Sequence, residues 1–140
     1  MISIIAPVEA GTLVWTGSVD DTWDKTTTNW IMTGASSATN YADGDRVLFN
    51  DTSASGTVSI SGIITPASLT VDVSARDLTI DPGSGGGLSG DIPIVKKGIG
   101  TLAFSGTHAA FSGTSTLQEG MLKLYHPPRP ICFPATGRLC

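Results

Sequence analysis

The chain alternates apolar and polar residues in pairs too brief to bury a core alone. Val58 and Ile60 flank Ser59, Leu69 and Val71 flank Thr70, and Leu78 and Ile80 flank Thr79; Leu102 and Phe104, then Leu122 and Leu124, repeat the pattern. Alternate side chains of a strand share a face, so each pair marks a short one-sided strand. Such strands become stable only when stacked on one another. Val58, Leu78, Leu102 and Leu122 lie 20, 24 and 20 residues apart, and Val47, Leu69 and Ile92 lie 22 and 23 apart. Two interleaved series with a common period are what a coiled sheet gives, with turns stacking at about 4.8 Å. The alternative is an antiparallel β-sandwich, whose strands recur every 8–12 residues or so; the spacing of Leu69 and Leu78 fits that as well. Clear two-residue hairpin turns such as Asn-Gly are lacking between these strands, which favours the coil. No window carries a helical rhythm, so the expected fold class is all-β with almost no helix.

The 140 residues suffice for one domain. Charged residues make up only 14% and the formal net charge is −4. A nucleic-acid partner is therefore not expected, because phosphates are neutralised by a basic face. Both cysteines, Cys132 and Cys140, lie near the C-terminus, which rules out a disulfide framework or cysteine zinc site in the body. No apolar run is long enough to span a membrane.

Four stretches differ in character. Residues 1–10 are apolar and end in Val8-Glu9-Ala10; they read equally as a first strand broken at Pro7 or as the remnant of a signal peptide. Residues 11–50 hold Trp15, Trp23 and Trp30, with Asp20, Asp21 and Asp24 among them, and close on the turn signal Asp43-Gly44-Asp45 before a strand at Arg46-Val47-Leu48-Phe49. Residues 51–124 carry the brief strands. Residues 125–140 contain Pro127, Pro128, Pro130 and Pro134. Proline donates nothing to a ladder, so the sheet is expected to stop at about Leu124 and the tail to be disordered and dispensable, the alternative being that Ile131 and Phe133 cap the last strand layer.

Several groups invite a chemical reading. Asp20, Asp21 and Asp24, or Asp43, Asp45 and Asp51, have the oxygens a calcium ion needs, but neither EF-hand spacing nor the Gly-Gly-x-Gly-x-Asp repeat is present. Asp favours turns by bonding to its own backbone, and turn chemistry is the preferred reading. Paired carboxylates also act on sugars, but Lys96, Lys97 and Arg76, the cations a lyase would want nearby, are scattered. His108 and His126, the only histidines, belong to no recognisable triad. Gly83-Ser84-Gly85-Gly86-Gly87 lacks the Lys-Ser/Thr of a phosphate loop and reads as a flexible turn. The tryptophans could stack on sugars, but covering the open end of a coil is preferred, because an uncapped end exposes unpaired strand edges.

The motif around Lys97 to Leu124 resembles the autotransporter-associated β-strand repeat of bacterial surface proteins. Gly98, Gly100, Thr101, Leu102, Ser105 and Gly106 match its first block, with Phe104 replacing a leucine. Phe111, Gly113 and Thr114 match the second, and Gly120, Leu122 and Leu124 the third. His108-Ala109-Ala110-Phe111 replaces the usual Asn-Thr-Tyr. Val14-Trp15-Thr16-Gly17, Thr22-Trp23-Asp24, Asn29-Trp30 and Tyr41 to Asp45 are similar to the segment that opens many such passenger domains. The resemblance implies a right-handed parallel β-helix, or solenoid, with an N-terminal cap region over residues 11–124. It implies secretion or display at the outer membrane of a Gram-negative bacterium, and a full-length protein with a C-terminal membrane β-barrel, of which this chain would be an N-terminal fragment. The expected role is structural and adhesive, toward host-surface, matrix or polysaccharide ligands, without catalysis, cofactor or metal. A secreted polysaccharide-acting β-helix enzyme is the alternative.

Overall fold

The structure, a computed structural model, describes residues 11–53, 55–82, 87–105, 110–126 and 129–134, with 110–112, 124–126 and 129–134 described by their backbone alone. It is all-β, and no helix occurs among the described residues. Among the described residues, sixteen strands, numbered in chain order, form three sheets. The first contains, in spatial order, β14 (Ser115–Leu117), β11 (Ile94–Lys97), β8 (Ser68–Asp72), β5 (Arg46–Asn50), β1 (Thr12–Trp15), β3 (Trp30–Met32) and β4 (Ala38–Thr39). The second contains β13 (Ala110–Ser112), β10 (Gly87–Asp91) and β7 (Ile63–Ile64). The third contains β16 (Arg129–Pro134), β15 (Met121–His126), β12 (Thr101–Phe104), β9 (Leu78–Asp81), β6 (Thr57–Ile60) and β2 (Thr22–Trp23).

From β5 to β15 the chain visits the first, third and second sheets in unbroken rotation, and every strand pairs parallel with the one three elements later. Antiparallel pairing among the described residues is confined to β1–β3, β3–β4 and β15–β16, so the antiparallel sandwich is excluded. Parallel pairing requires a connection that crosses back to the starting end; here two further strands supply it, which is why no two-residue hairpin separates the apolar pairs.

The alternation reads directly as burial. In β6, β8, β9 and β12 the apolar positions Val58, Ile60, Leu69, Val71, Leu78, Ile80, Leu102 and Phe104 are buried, and the residues between them face outward. Together with Ile64, Leu88 and Ile94 they form one continuous core. The registers partly correct the sequence spacing. Leu78, Leu102 and Leu122 are aligned, as the period requires, but Val58 lies opposite Ile80 rather than Leu78. Val47 and Leu69 are aligned, but the next partner is Ile94, not Ile92. A two-residue slip keeps every side chain on its face, so alternation alone cannot detect it. Gly87 opens β10 instead of continuing a turn; Gly83 to Gly86 lie outside the described residues.

The third sheet runs past Leu124. Its strand β15 extends to His126, and β16 returns antiparallel, with Leu122 opposite Phe133 and Leu124 opposite Ile131. Pro130 and Pro134 are accommodated because β16 is an edge strand, where alternate nitrogens face away from the ladder and need not donate.

Leu102 is 0% exposed and flanked in register by Leu78 and Leu122, whereas Ile99 is 73% exposed. Leu102→Ala should cost about 2–5 kcal/mol in urea unfolding, and Ile99→Ala should stay within about 0.5 kcal/mol; equal effects would refute the register.

Candidate functional site

The repeat-like motif supplies two of the segments that join the first sheet to the third, residues 98–100 and 118–120, which follow residues 73–77 of the preceding layer. These segments lie directly on one another. The amide of Gly100 donates to the Val73 carbonyl at 2.8 Å, and that of Met121 to the Gly100 carbonyl at 3.4 Å. The approach leaves no space for side chains. A Cβ on Gly100 would sit 2.3 Å from the Arg76 carbonyl oxygen, and one on Gly120 would sit 2.2 Å from that of Gly100. Gly98 and Gly120 also adopt φ of +73° and +77°, where L side chains are strained. Gly113 meets the Ile92 carbonyl in the same way, at 2.6 Å for its Cβ. Of the remaining motif residues, Thr101 donates its amide to Asp77 at 2.8 Å, Ser105 donates its amide to the Ile80 carbonyl at 3.0 Å, and the Thr114 carbonyl accepts from Ile94 at 2.9 Å. Leu102, Phe104 and Leu122 are buried. Gly106 and the side chains of Phe111 and Leu124 lie outside the described residues.

At the centre of this packing is Lys96, fully buried at a position in register with Val71, Phe49 and Leu117. Its Nζ donates to the carbonyls of Lys97, Gly98 (2.7 Å) and Glu119 (3.4 Å), tying one connecting segment to the next. Burial lowers its pKa, and the carboxylates of Asp72, Glu119, Asp77 and Asp51 oppose that shift in decreasing order. Sequence reasoning treated Lys96 as one of several scattered cations. The available signal was its parity, since Ile94 and Lys96 both point inward.

Of the six aspartates with the oxygens a calcium ion would need, five accept hydrogen bonds from nearby donors. Asp20 accepts from the Thr22 amide and the Asn29 side chain, both at 2.8 Å, and these bonds, the first being the stronger influence, hold its carboxyl below the usual range. Burial disfavours the charge on Asp24, but the amides of Thr27 (2.6 Å) and Thr26 (2.9 Å) and their hydroxyls outweigh it and lower its pKa. Burial likewise opposes the charge on Asp43, but Lys25 (2.6 Å), the Thr65 amide and the Tyr41 hydroxyl lower its pKa. Burial, then the charges of Asp43 and Asp45, push the Tyr41 phenol well above its ordinary value. Asp45 holds the Ala42 amide, and Asp51 holds those of Ser74 and Ala75. The Asp21 side chain is exposed, and its carbonyl accepts from Ser59 at 2.7 Å. No three His, Cys, Asp or Glu side chains converge on a metal-sized site among the described residues.

The tryptophans present no face to a ligand. Trp15, Trp23 and Trp30 are 0% exposed and pack with Tyr41 and Phe49, at ring centroid distances of 4.9 Å for Trp15–Trp30 and 5.3 Å for Trp23–Trp30. Their indole nitrogens make no hydrogen bond, and edge-to-face ring contacts surround them. Among the described residues, no ion pair brings Arg76 or Lys97 to an acidic cluster. His108 and Cys140 lie outside the described residues, as do the side chains of His126, Cys132, Ile131 and Phe133.

No known protein family, curated protein or solved structure matches the chain significantly.

Two expectations follow. Gly100→Ala should destabilise by about 1–3 kcal/mol through overpacking against backbone, read from the urea midpoint; a neutral effect would contradict the close stacking. The depressed pKa of Lys96 means that the unfolded chain holds this proton to higher pH than the native state, so stability rises with pH from the depressed native value up to the unfolded one, 10.5. Wild type should therefore gain stability relative to Lys96→Met as pH is raised from neutrality toward 10.5. A relative loss would mean that the ammonium–carbonyl bonds outweigh the cost of burying the charge.

Proposed function

We propose that the chain is a segment of a right-handed parallel β-helix of the autotransporter passenger type, serving as a structural and adhesive element. The single observation that carries this reading is the rotation of the chain through three parallel sheets with in-register partners. Hydrogen bonds from side chains support it by spanning 22 to 25 residues, from Asp43 to Thr65, Asp51 to Ser74 and Ala75, Ser74 to Ile99 and Asp77 to Thr101. Each successive layer is thereby held to the last by local contacts, and an extended surface can be built without a large globular core.

The aromatic cluster then serves as the N-terminal cap. It occupies the interior where β1, β3 and β4 continue the first sheet beyond β5. Outward positions carry small polar residues, including Thr57, Ser59, Thr70, Asp72 and Thr116, a surface suited to matrix or polysaccharide ligands. Secretion or display at the outer membrane, and a membrane β-barrel elsewhere in the full-length protein, complete the proposal. No helix among the described residues is long and apolar enough to cross a membrane. The carboxylates of Asp20, Asp24, Asp45 and Asp51 are engaged by backbone amides, which favours a structural role for them.

The test is to immobilise the chain and measure its binding to matrix proteins and acidic and neutral polysaccharides, while assaying the same polysaccharides for new reducing or unsaturated ends. Saturable binding without chain scission is expected. Turnover of any polysaccharide would favour the enzyme and overturn this reading.

A further inference from the structure

The chain contains three asparagines, Asn29, Asn40 and Asn50. Only Asn50 begins an Asn-x-Thr triplet, Asn50-Asp51-Thr52, the pattern that transferases use for N-linked sugars. The fold treats the three differently. Asn29 is fully buried, and its Nδ2 donates to Asp20 Oδ1 at 2.8 Å and to the Thr22 carbonyl at 2.9 Å. Asn40 spends its Nδ2 on the Lys25 carbonyl at 2.8 Å. Asn50 closes β5 at the rim of the first sheet, and its side-chain oxygen accepts from both the amide (3.1 Å) and the hydroxyl of Thr52. Among the described residues its Nδ2 donates to none, and Asn50 is partly exposed.

We propose that Asn50 is an acceptor site for an N-linked sugar, taken from a nucleoside-diphosphate or polyprenyl-diphosphate donor. The turn holds the carboxamide oxygen and the threonine hydroxyl on one side and leaves the nitrogen on the other. In the transfer, Nδ2 attacks the anomeric carbon and the N–C bond forms. The bond from that carbon to the phosphate oxygen breaks, the diphosphate leaves with the electron pair, and Nδ2 releases one proton. The middle residue is acidic, but its carboxylate is turned away from the acceptor: Asp51 accepts the amides of Ser74 and Ala75 at 3.0–3.1 Å. Thr52 is exposed, so a transferase can reach the hydroxyl that specifies the site. Cross-strand from Asn50 lies exposed Asp72, so a sugar here would project from the outer rim, clear of the core. The inference is independent of the adhesive reading, because it concerns one turn and not the ligand of the surface.

The folded chain should be incubated in parallel with a soluble N-glycosyltransferase and a nucleoside-diphosphate hexose, and with an oligosaccharyltransferase and a polyprenyl-diphosphate donor. Peptide mass spectrometry then locates any sugar. Modification of Asn50 alone by either enzyme is expected, and the active arm identifies the donor class. Thr52→Ala should lose the modification and Thr52→Ser should keep it, with circular dichroism confirming that both fold. An unmodified wild type in both arms, sugar on Asn29 or Asn40, modification that persists in Thr52→Ala, or modification only after the chain is heat-unfolded would each overturn the proposal.

Discussion

Backbone lying on backbone is the constraint on which this architecture depends. At the segments linking the first sheet to the third, carbonyl oxygens occupy the space where side chains of the next layer would stand, so glycine is required at Gly100 and Gly120. The close approach acts together with the ladder hydrogen bonds that space the layers at about 4.8 Å, and the apolar residues of each strand meet their counterparts above and below.

Charge in this fold is subordinated to the main chain. Lys96 is buried not against a carboxylate but among carbonyl oxygens, and most of the aspartates hold amides and hydroxyls at turns instead of pairing with cations. The ion pair Lys25–Asp43 is exposed on both sides and adds little to stability. Replacing Lys96 with an apolar side chain of similar length is a fair test of whether its buried charge supports the stack, because such replacements are often neutral or stabilising.

Much of the fold was legible in the residues, and the illegible parts share a cause. Alternation around Ser59, Thr70 and Thr79 revealed strand, inward face and parallel stacking, because those depend on parity and on the absence of hairpin turns. Register was legible from Leu78 through Leu102 to Leu122 and from Val47 to Leu69; elsewhere a two-residue slip preserved parity and passed unnoticed. The alternation does not locate the strands of the second sheet, because β7 has two residues and β10 begins at a glycine. Gly98, Gly100 and Gly120 stand out through the resemblance to the repeat motif, whereas Lys96 does not, since a lysine on the inward parity looks like an exception until its carbonyl partners are seen. The pairing of β16 was hidden by its prolines, which forbid a central strand but not an edge one.

The prolines of β16 make the molecule asymmetric with respect to growth. A free strand edge ordinarily invites a further strand, from the same chain or a neighbour. On the third sheet that invitation is weakened, since Pro130 and Pro134, on either side of Cys132 at two of the three positions of that parity in β16, carry no N–H to offer an incoming partner. The first sheet ends on β14, whose Ser115, Thr116 and Leu117 all retain theirs. One wall of the stack is thus chemically blunted and another is not, so extension by a neighbouring molecule would start askew, and an orderly filament of such units would be slow to nucleate.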